Sequence, residues 1–327
     1  MLLAFEVSAV LANAGRLAVL AVPALLGVVV VRARLIGDVP AAIGALNVYT
    51  LHIGFPALIA LGVLNVGSGV ASHWGFWVAI PVVDLVLVGV SRLVGRLLTG
   101  DDGVRQGGTI ALVLLFGNTA YLGLPFAVSV LGERARGPAS LLVAIQVGLA
   151  VFLGPVLLQR WSGGSGGTVR WARVLRQPLL WAPLVGVFVR LLPASGRDAA
   201  SDVLSPLAAS TAPVAMFLLG LYLVHNWERV RVAEAGVWTH VGLRLIVAPV
   251  VNAAVAVVLL RLDAISGPVA AIIVILGGMP AAISTFSLAE YEGIGADRVA
   301  SVVVRSSVTS VLTMPVLATL ADLLSRR

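Results

Sequence analysis

Two stretches of the sequence place polar side chains beside glycine and proline inside long apolar runs. The first reads Asn-Thr-Ala-Tyr-Leu-Gly-Leu-Pro over 118–125, and the second reads Gly-Met-Pro-Ala-Ala-Ile-Ser-Thr over 278–285. Because proline lacks a backbone N–H and glycine tolerates unwound backbone, each stretch predicts a break in an apolar helix. The half-helix after each break would point its positive dipole end at the gap, which suits a small anion such as a carboxylate. The alternative is a pair of packing kinks that bind nothing.

We expect the substrate contacts to come from residues at and near these breaks. Asn118 is the first candidate, because its amide offers donors and an acceptor to a carboxylate, although it could instead form a helix–helix hydrogen bond. Gln146, in a later apolar run, is a second candidate that would face the cavity. The full set of predicted substrate-binding residues is Asn118, Thr119, Tyr121, Pro125, Gln146, Gly278, Pro280, Ser284 and Thr285.

One acidic residue, Asp84, lies well inside an apolar run, IPVVDLVLVGV over 80–90. A carboxylate at that depth in a membrane is costly unless it is protonated or paired. Asp84 therefore either carries a proton or forms a structural ion pair. Arg305 and Arg244, which also lie inside apolar runs, are alternative partners, and either could instead attract an anionic substrate. We predict Asp84 and Arg305 as the ion-coupling residues.

The composition excludes several classes of protein. Of the 327 residues, 59% are hydrophobic and 11% are charged, and the mean hydropathy is +1.05, which excludes an ordinary soluble domain and a disordered chain. The chain has no cysteine, and its four histidines lack metal-ligand spacing, so we predict no metal and no cofactor. All 22 basic residues are arginines placed between apolar runs, which indicates a membrane protein rather than a nucleic-acid-binding one. Without lysine there is no nucleotide-binding P-loop. The H-E-x-x-H motif and the paired aspartate motif that an intramembrane enzyme would need are also absent, so we predict no enzyme.

Apolar runs of about 20 residues predict transmembrane helices, and the chain contains ten of them. The predicted fold class is therefore an all-α integral membrane protein with ten transmembrane helices, of which the fourth and the ninth are broken. The predicted spans are 10–31, 40–62, 74–97, 106–130, 138–159, 173–192, 203–225, 236–260, 267–289 and 298–322.

The distribution of arginine predicts the orientation of these spans. Twelve arginines fall on one side of the predicted topology and eight on the other. Because positive charge favours the cytoplasmic side, we expect both termini outside the cytoplasm. Residues 161–172, rich in glycine, would then form a cytoplasmic linker between a first five-helix unit, 1–160, and a second, 173–327.

The two halves carry prolines in register, which indicates a duplication. An odd number of helices in each half would make the second copy enter the membrane from the opposite side, which is the inverted repeat common among secondary transporters. The proline pairs, at offsets of 160, 157, 155 and 160 residues, are Pro23 with Pro183, Pro56 with Pro213, Pro125 with Pro280, and Pro155 with Pro315.

At these residues the chain resembles the bacterial branch of the auxin efflux carrier family. The resemblance lies in 118–125 and in 278–290, and is supported by 55–58 and 212–220. It covers essentially the whole chain, and Ala120 departs from it, because the family usually has glycine there. The resemblance implies two inverted five-helix repeats, with helices 1, 2, 6 and 7 as a scaffold that could form a homodimer. Helices 3–5 and 8–10 would form a mobile transport unit, in a fold shared with bile-acid/sodium symporters.

We therefore predict a permease of the cytoplasmic membrane that moves a small organic anion by alternating access, in an elevator-like motion of the transport unit. The expected partners are the anion, the lipid bilayer and a second copy of the chain, and no nucleic acid. Two alternatives stay open at this point. One is a sodium-coupled organic-anion symporter of the bile-acid type, and the other is a membrane sensor that does not transport.

Overall fold

The computed structural model describes residues 7–66, 69, 72–99, 103–161, 178–228, 236–292 and 295–326. Within these ranges the chain is helical, and its β-structure amounts to one isolated bridge, so the predicted all-α class is confirmed. The predicted linker, apart from Trp161, lies outside the described residues, as does the start of the predicted sixth span.

We number the helical segments in chain order and mark the halves of an interrupted segment a and b. The segments are α1 Val7–Arg32, α2 Val39–Leu64, α3 Trp74–Thr99, α4a Gly103–Leu115, α4b Thr119–Leu131, α5 Arg136–Trp161, α6 Pro178–Arg190, α7 Ala194–His225, α8 Val237–Arg261, α9a Gly267–Gly277, α9b Ile283–Glu292 and α10 Ala296–Ser325.

Six of the described helices are long and apolar enough to cross a membrane: α1, α2, α3, α7, α8 and α10. The other four predicted spans fall on α4 and α9, which are interrupted, on α5, whose side chains are described up to residue 150, and on α6, which follows residues outside the described part. α7 begins at Ala194, nine residues before the predicted span at 203. The prediction excluded these residues because they include Arg197 and Asp198, but both side chains are exposed and so do not oppose a helix.

Two helix pairs form close backbone contacts. α1 packs along α7, and α2 packs along α6. At the first contact Gly27 faces the carbonyl oxygen of Phe217, and Gly220 faces that of Ala24, so closely that a Cβ on either glycine would overlap the opposite backbone. Glycine at these positions therefore lets two membrane-type helices approach through their backbones.

Three of the described helices contain a π-helical turn, in which the chain holds one residue more than an α-helical turn. The turns are Thr50–Gly54 in α2, Thr119–Gly123 at the start of α4b, and Leu243–Val247 in α8. Such turns are rare and frequently lie at functional sites. Two of these turns contain residues that belong to the helix breaks described next: Tyr121 lies beside the first break, and Arg244 binds carbonyl oxygens of both.

Candidate functional site

The two interrupted helices meet at their breaks. α4a ends at Leu115 and α9a at Gly277, and the connecting segments pair as a short antiparallel bridge. The backbone N–H of Asn118 donates to the carbonyl oxygen of Pro280 at 2.7 Å, and the N–H of Ala282 donates to that of Phe116 at 2.9 Å. The unwound backbone that proline and glycine create is thus satisfied by the other break, as buried backbone groups require.

Arg244 binds the carbonyl ends of both broken helices. Its Nη1 donates to Leu114 O at 2.6 Å, its Nε to Met279 O at 2.7 Å, and its Nη2 to Gly277 O at 3.4 Å. The carbonyl end of a helix carries a partial negative charge. One guanidinium therefore stabilises the ends of α4a and α9a together and holds the two breaks in register.

The position of Arg244 leaves no space beside it. The side chain is 1% exposed, and a Cβ added to Gly117 would overlap its Nη2 atom. Glycine at 117 is therefore required by the approach of the guanidinium. Carbonyl oxygens satisfy the donors of an arginine without neutralising its charge, so a buried guanidinium needs an anionic group nearby.

Asp84 in α3 is a buried acid that can supply that charge. It is 8% exposed and lies near enough to Arg244 to interact electrostatically. The Oδ1 atom of Asp84 has no hydrogen-bond partner in the described part of the chain. Asp84 and Arg244 are the buried side chains with a formal charge among those that the structure describes.

The amide of Asn118 lies at the first break with a free donor. Asn118 is 3% exposed, and its Nδ2 atom has no partner among the described residues. Thr119, next along the chain, is buried at 2% exposure. An amide N–H without an acceptor in a buried position is costly, so Asn118 is suited to donate to an oxygen of a ligand.

The second break directs its polar groups into the protein. Pro280 O accepts the hydrogen bond from Asn118, and the N–H of Ala281 donates to Ser306 Oγ of α10 at 3.1 Å. Thr285 is fully buried, and its hydroxyl donates to the carbonyl oxygen of Ala282. Ser284, one residue earlier, is exposed.

Tyr121 connects the first break to α2. Its ring stacks on Phe55 with centroids 4.9 Å apart, and its hydroxyl donates to Asn47 Oδ1 at 2.8 Å. The same hydroxyl lies 3.4 Å from Thr50 Oγ1, in the π-helical turn of α2. Tyr121 is therefore directed at the neighbouring helix and away from the carbonyl oxygens that bind Arg244.

A cavity of about 570 Å³ lies between α2, α4b and α7. Pro125 lines it, and its other walls are mostly apolar, with the hydroxyl of Ser129 among them. Glu133 and Arg136 also line it and form a bidentate ion pair with two 2.8 Å contacts. The hydrogen bonds from Arg136 hold the pKa of the exposed Glu133 below its usual value, so the pair persists at neutral pH.

The remaining predicted residues, Gln146, Gly278 and Arg305, each have their own contacts. Gln146 of α5 is half-buried, and its Oε1 atom has no partner in the described part of the chain. Gly278 packs against Leu317. Arg305 lies with its guanidinium carbon 5.3 Å from the ring centre of Trp238. The described residues include no group of three or more His, Asp or Glu side chains that could hold a metal ion.

The structure thus brings Asn118, Thr119, Gly278 and Pro280 together at one crossing and places Tyr121 and Pro125 beside it. Two features of this crossing are not predicted from the sequence: the three carbonyl contacts of Arg244 and the hydrogen bond of Ser306. An arginine inside an apolar run was a signal for the first. A serine in a helix gives no comparable signal for the second.

Comparisons with known proteins agree with this architecture. A family described as membrane transport protein matches residues 166–318. An "Uncharacterized transporter" of Methanothermobacter thermautotrophicus is 28% identical over 277 residues, which covers 83% of this chain and 86% of that protein. A "Putative malonate transporter" of Rhizobium meliloti is 24% identical over 294 residues, covering 86% of this chain and 88% of the relative.

Proposed function

We propose that this chain, whose family match and relatives are membrane transport proteins and not enzymes, carries a small organic anion across the membrane by alternating access. The anion binds at the crossing of α4 and α9. The observation that carries this proposal is the buried amide of Asn118, whose free donor lies where two interrupted helices meet.

The polarity of the crossing supports an anion as the substrate. The carbonyl ends of α4a and α9a are already bound by Arg244, whereas α4b and α9b begin at the breaks with their positive ends. Around Asn118, we assign contacts to Thr119, Tyr121, Pro125, Gln146, Gly278, Pro280, Ser284 and Thr285. The relative named for malonate is consistent with a carboxylate substrate.

We further propose that the chain forms ten spans in two inverted five-helix units, 1–160 and 173–327. The packing supports this arrangement, because exchanging the halves turns the α1–α7 pair into the α6–α2 pair, and both pairs are in contact. Glycines follow the same exchange. Gly27 meets the backbone of α7, and Gly186 of α6 meets the carbonyl oxygen of Ala60 in α2.

In the proposed mechanism α1, α2, α6 and α7 form the scaffold, which could also form a homodimer, and the other helices form the transport unit. The contact of Tyr121 with α2 and the cavity beside Pro125 both lie at the boundary between these units. The protein lies in the cytoplasmic membrane with both termini outside the cytoplasm. Exposed apolar side chains such as Val19 and Leu25 on α1 suit contact with lipid.

One observation weighs against the sodium-coupled alternative. A sodium site at the crossing would need several oxygen ligands, and the carbonyl oxygens of Leu114, Gly277 and Met279 already accept hydrogen bonds from Arg244. A fixed guanidinium beside these oxygens also repels a second cation. We therefore propose transport without sodium, so that replacing sodium by choline leaves the rate unchanged.

The test is counterflow exchange in liposomes that contain the purified protein. Vesicles loaded with unlabelled pyruvate, indole-3-acetate, malonate or succinate are diluted into the same labelled acid, and saturable uptake is measured. We expect exchange of at least one acid. Replacing Asn118 by Ala should raise its KM about tenfold or more, as loss of a hydrogen bond to a charged group predicts.

The matched control is Asn226→Ala, which removes another buried amide. Asn226 is 2% exposed, but its Nδ2 atom donates to Tyr222 O of its own helix, so its loss should leave KM unchanged. Exchange with an unchanged KM in Asn118→Ala would retain the carrier and refute the site. Failure of all four acids to exchange, with the protein folded, would refute the carrier and favour a sensor.

A further inference from the structure

The crossing region contains one feature that anion binding alone does not explain, which is the burial of two ionisable side chains of opposite charge type, Asp84 and Arg244. Both side chains are more than nine-tenths buried, and both belong to the proposed transport unit. Three backbone carbonyl oxygens fix Arg244 in place, while Asp84 Oδ1 has no partner in the described part of the chain. Arg244 is thus held in place by hydrogen bonds, whereas Asp84 retains an oxygen that can still form one.

Arg244 also connects Asp84 to the substrate position. Its Nε atom binds Met279 O, one residue before Pro280, and Pro280 O accepts the N–H of Asn118. A Cβ on Gly117, the neighbour of Asn118, would overlap the guanidinium. An anion held by Asn118 would therefore lie close to the same positive charge that interacts with Asp84.

Among the side chains that the structure describes, the other titratable groups of the helices around Asp84 do not offer it a second partner. α3 packs against α4a, α5, α8 and α9a. Among the described side chains of these helices, Arg136 is paired with Glu133, and Arg261 is exposed at the end of α8. Near Arg244, His240 Nδ1 lies 2.9 Å from Gly236 O, and Arg305 of α10 lies over Trp238.

The summed charge of Asp84, Arg244 and any bound anion, which we call the buried group, differs between the empty and the loaded carrier. Without substrate, ionised Asp84 and Arg244 sum to zero. A bound monovalent anion adds a negative charge, and moving an uncompensated charge through a membrane interior is costly. If Asp84 takes up a proton when the anion binds, the loaded group is neutral again. Anion and proton binding are then linked, and by reciprocity each strengthens the other.

We infer that Arg244 is a positioning residue that links the anion at the helix breaks to Asp84, and that the carrier moves one monovalent anion together with one proton held by Asp84. This inference rests on the proposed function. It specifies electroneutral symport of a monovalent carboxylate. A dianion would leave the loaded group with one negative charge and should be carried more slowly.

The test uses liposomes that contain the pH-sensitive dye pyranine. The probe is whichever of the two monovalent acids, pyruvate and indole-3-acetate, shows the larger counterflow exchange, with protein-free liposomes as the leak control. An outside medium one pH unit more acidic should drive about tenfold accumulation of a monovalent acid, since one unit corresponds to a tenfold ratio. The dye should report one proton per anion, and a potassium diffusion potential should not change the uptake.

Asp84→Asn separates coupling from binding. With a neutral amide in place of the carboxylate, the loaded group is neutral but the empty group retains the charge of Arg244, so the empty carrier returns poorly. Accumulation should fall by about tenfold or more while exchange decreases much less. Asp84→Glu should restore accumulation. The control Asp322→Asn removes an acid that pairs with Arg326 at the end of α10 and should leave accumulation unchanged.

The outcomes distinguish this inference from the proposed function. Absence of exchange in the unmodified protein would refute the carrier itself. Exchange without proton movement, or uptake that follows the potassium potential, would retain the carrier and refute proton symport. Equal losses of exchange and accumulation in Asp84→Asn would show that Asp84 acts on structure alone. The unmodified protein gives the proton stoichiometry even if a variant does not fold.

Discussion

The two helix breaks pair with each other through their backbones but differ in the partners of their other polar groups. At the α4 break, Asn118 keeps a free amide donor, and Tyr121 reaches across to Asn47 of α2. At the α9 break, Ala281 is held by Ser306, and Met279 O is held by Arg244. Both contacts of the second break lie within the proposed transport unit.

This difference indicates that two copies of one motif have separate tasks. The α4 break offers groups that a substrate or a scaffold helix can reach, whereas the α9 break is fixed to its own unit. Internal duplication supplies two crossing helices of similar backbone form. Side-chain substitution then leaves the free amide donor to one helix, while the other combines its substrate contacts with mechanical support.

The largest expected effect comes from Arg244→Gln, because this side chain joins the two breaks. The substitution removes the cation that holds three carbonyl oxygens and leaves Asp84 without its counter-charge. Breaking a buried pair in this way costs about 3–5 kcal/mol. We expect a strongly lowered melting temperature in detergent and exchange reduced by more than about 100-fold, consistent with that energy.

The matched control for this substitution is Arg190→Gln. Arg190 also donates to a backbone carbonyl, Val66 O at 2.7 Å, but its side chain is exposed at the end of α6. Its loss should change both readouts little. If Arg244→Gln melted and exchanged like the unmodified protein, the two breaks would not depend on a common cation.

A smaller effect is expected at the α9 break from Ser306→Ala. The substitution removes the hydrogen bond to the N–H of Ala281, which contributes about 1 kcal/mol. Because Ser306 supports the break without facing the substrate, the melting temperature should fall by a few degrees and KM should stay within about twofold. Thermal unfolding and counterflow exchange measure the two effects.

Ser310→Ala serves as the control, since its buried hydroxyl donates to Ser307 O of the same helix. It should leave the crossing unchanged. A rise in KM in Ser306→Ala as large as that in Asn118→Ala would contradict the separation of tasks, because the support of the α9 break would then matter as much for recognition as the amide of Asn118.

An effect on exchange rate and not on stability is expected from Tyr121→Phe, which keeps the ring stack on Phe55 but removes the hydrogen bond to Asn47. That bond joins the α4 break to α2 in the conformation described, so its loss destabilises this state by about 1 kcal/mol. Exchange should change by about threefold to fivefold, with little change in KM. Initial exchange rates at saturating acid measure this shift.

Tyr49→Phe is the matched control for this last variant. The hydroxyl of Tyr49 lies 2.6 Å from Ser210 Oγ, so this contact joins α2 to α7. Both helices belong to the proposed scaffold, and the exchange rate should not change. Equal effects of the two substitutions would mean that the contact of Tyr121 does not lie at a moving boundary.

The helices and their breaks could be predicted from the sequence because their causes are local. Long apolar runs indicated the helices, and the glycine–proline stretches around Pro125 and Pro280 marked the interruptions that the structure contains. The predicted start of α7 was nine residues too late, because the length of an apolar run does not indicate how far a helix continues through exposed charged residues such as Arg197.

The choice between Arg244 and Arg305 as the partner of Asp84 could not be made from the sequence. It depends on the rotation of each helix, and α8 contains an extra residue at Leu243–Val247 that changes this rotation. The structure buries both Asp84 and Arg244 and places Arg305 over Trp238. Ser284 and Thr285 differ in exposure for the same reason, since adjacent helical residues face directions about 100° apart.

The π-helical turns also allow a helix to lose one residue without losing its helical structure. Removing one residue from Leu243–Val247 would turn a π-helical turn into an α-helical one and keep α8 helical. The part before the deletion would rotate by about 100° relative to the part after it. In an evolving sequence, a single-residue deletion there would redirect a whole helix face in one step, while neighbouring helices would need many separate substitutions to achieve the same change.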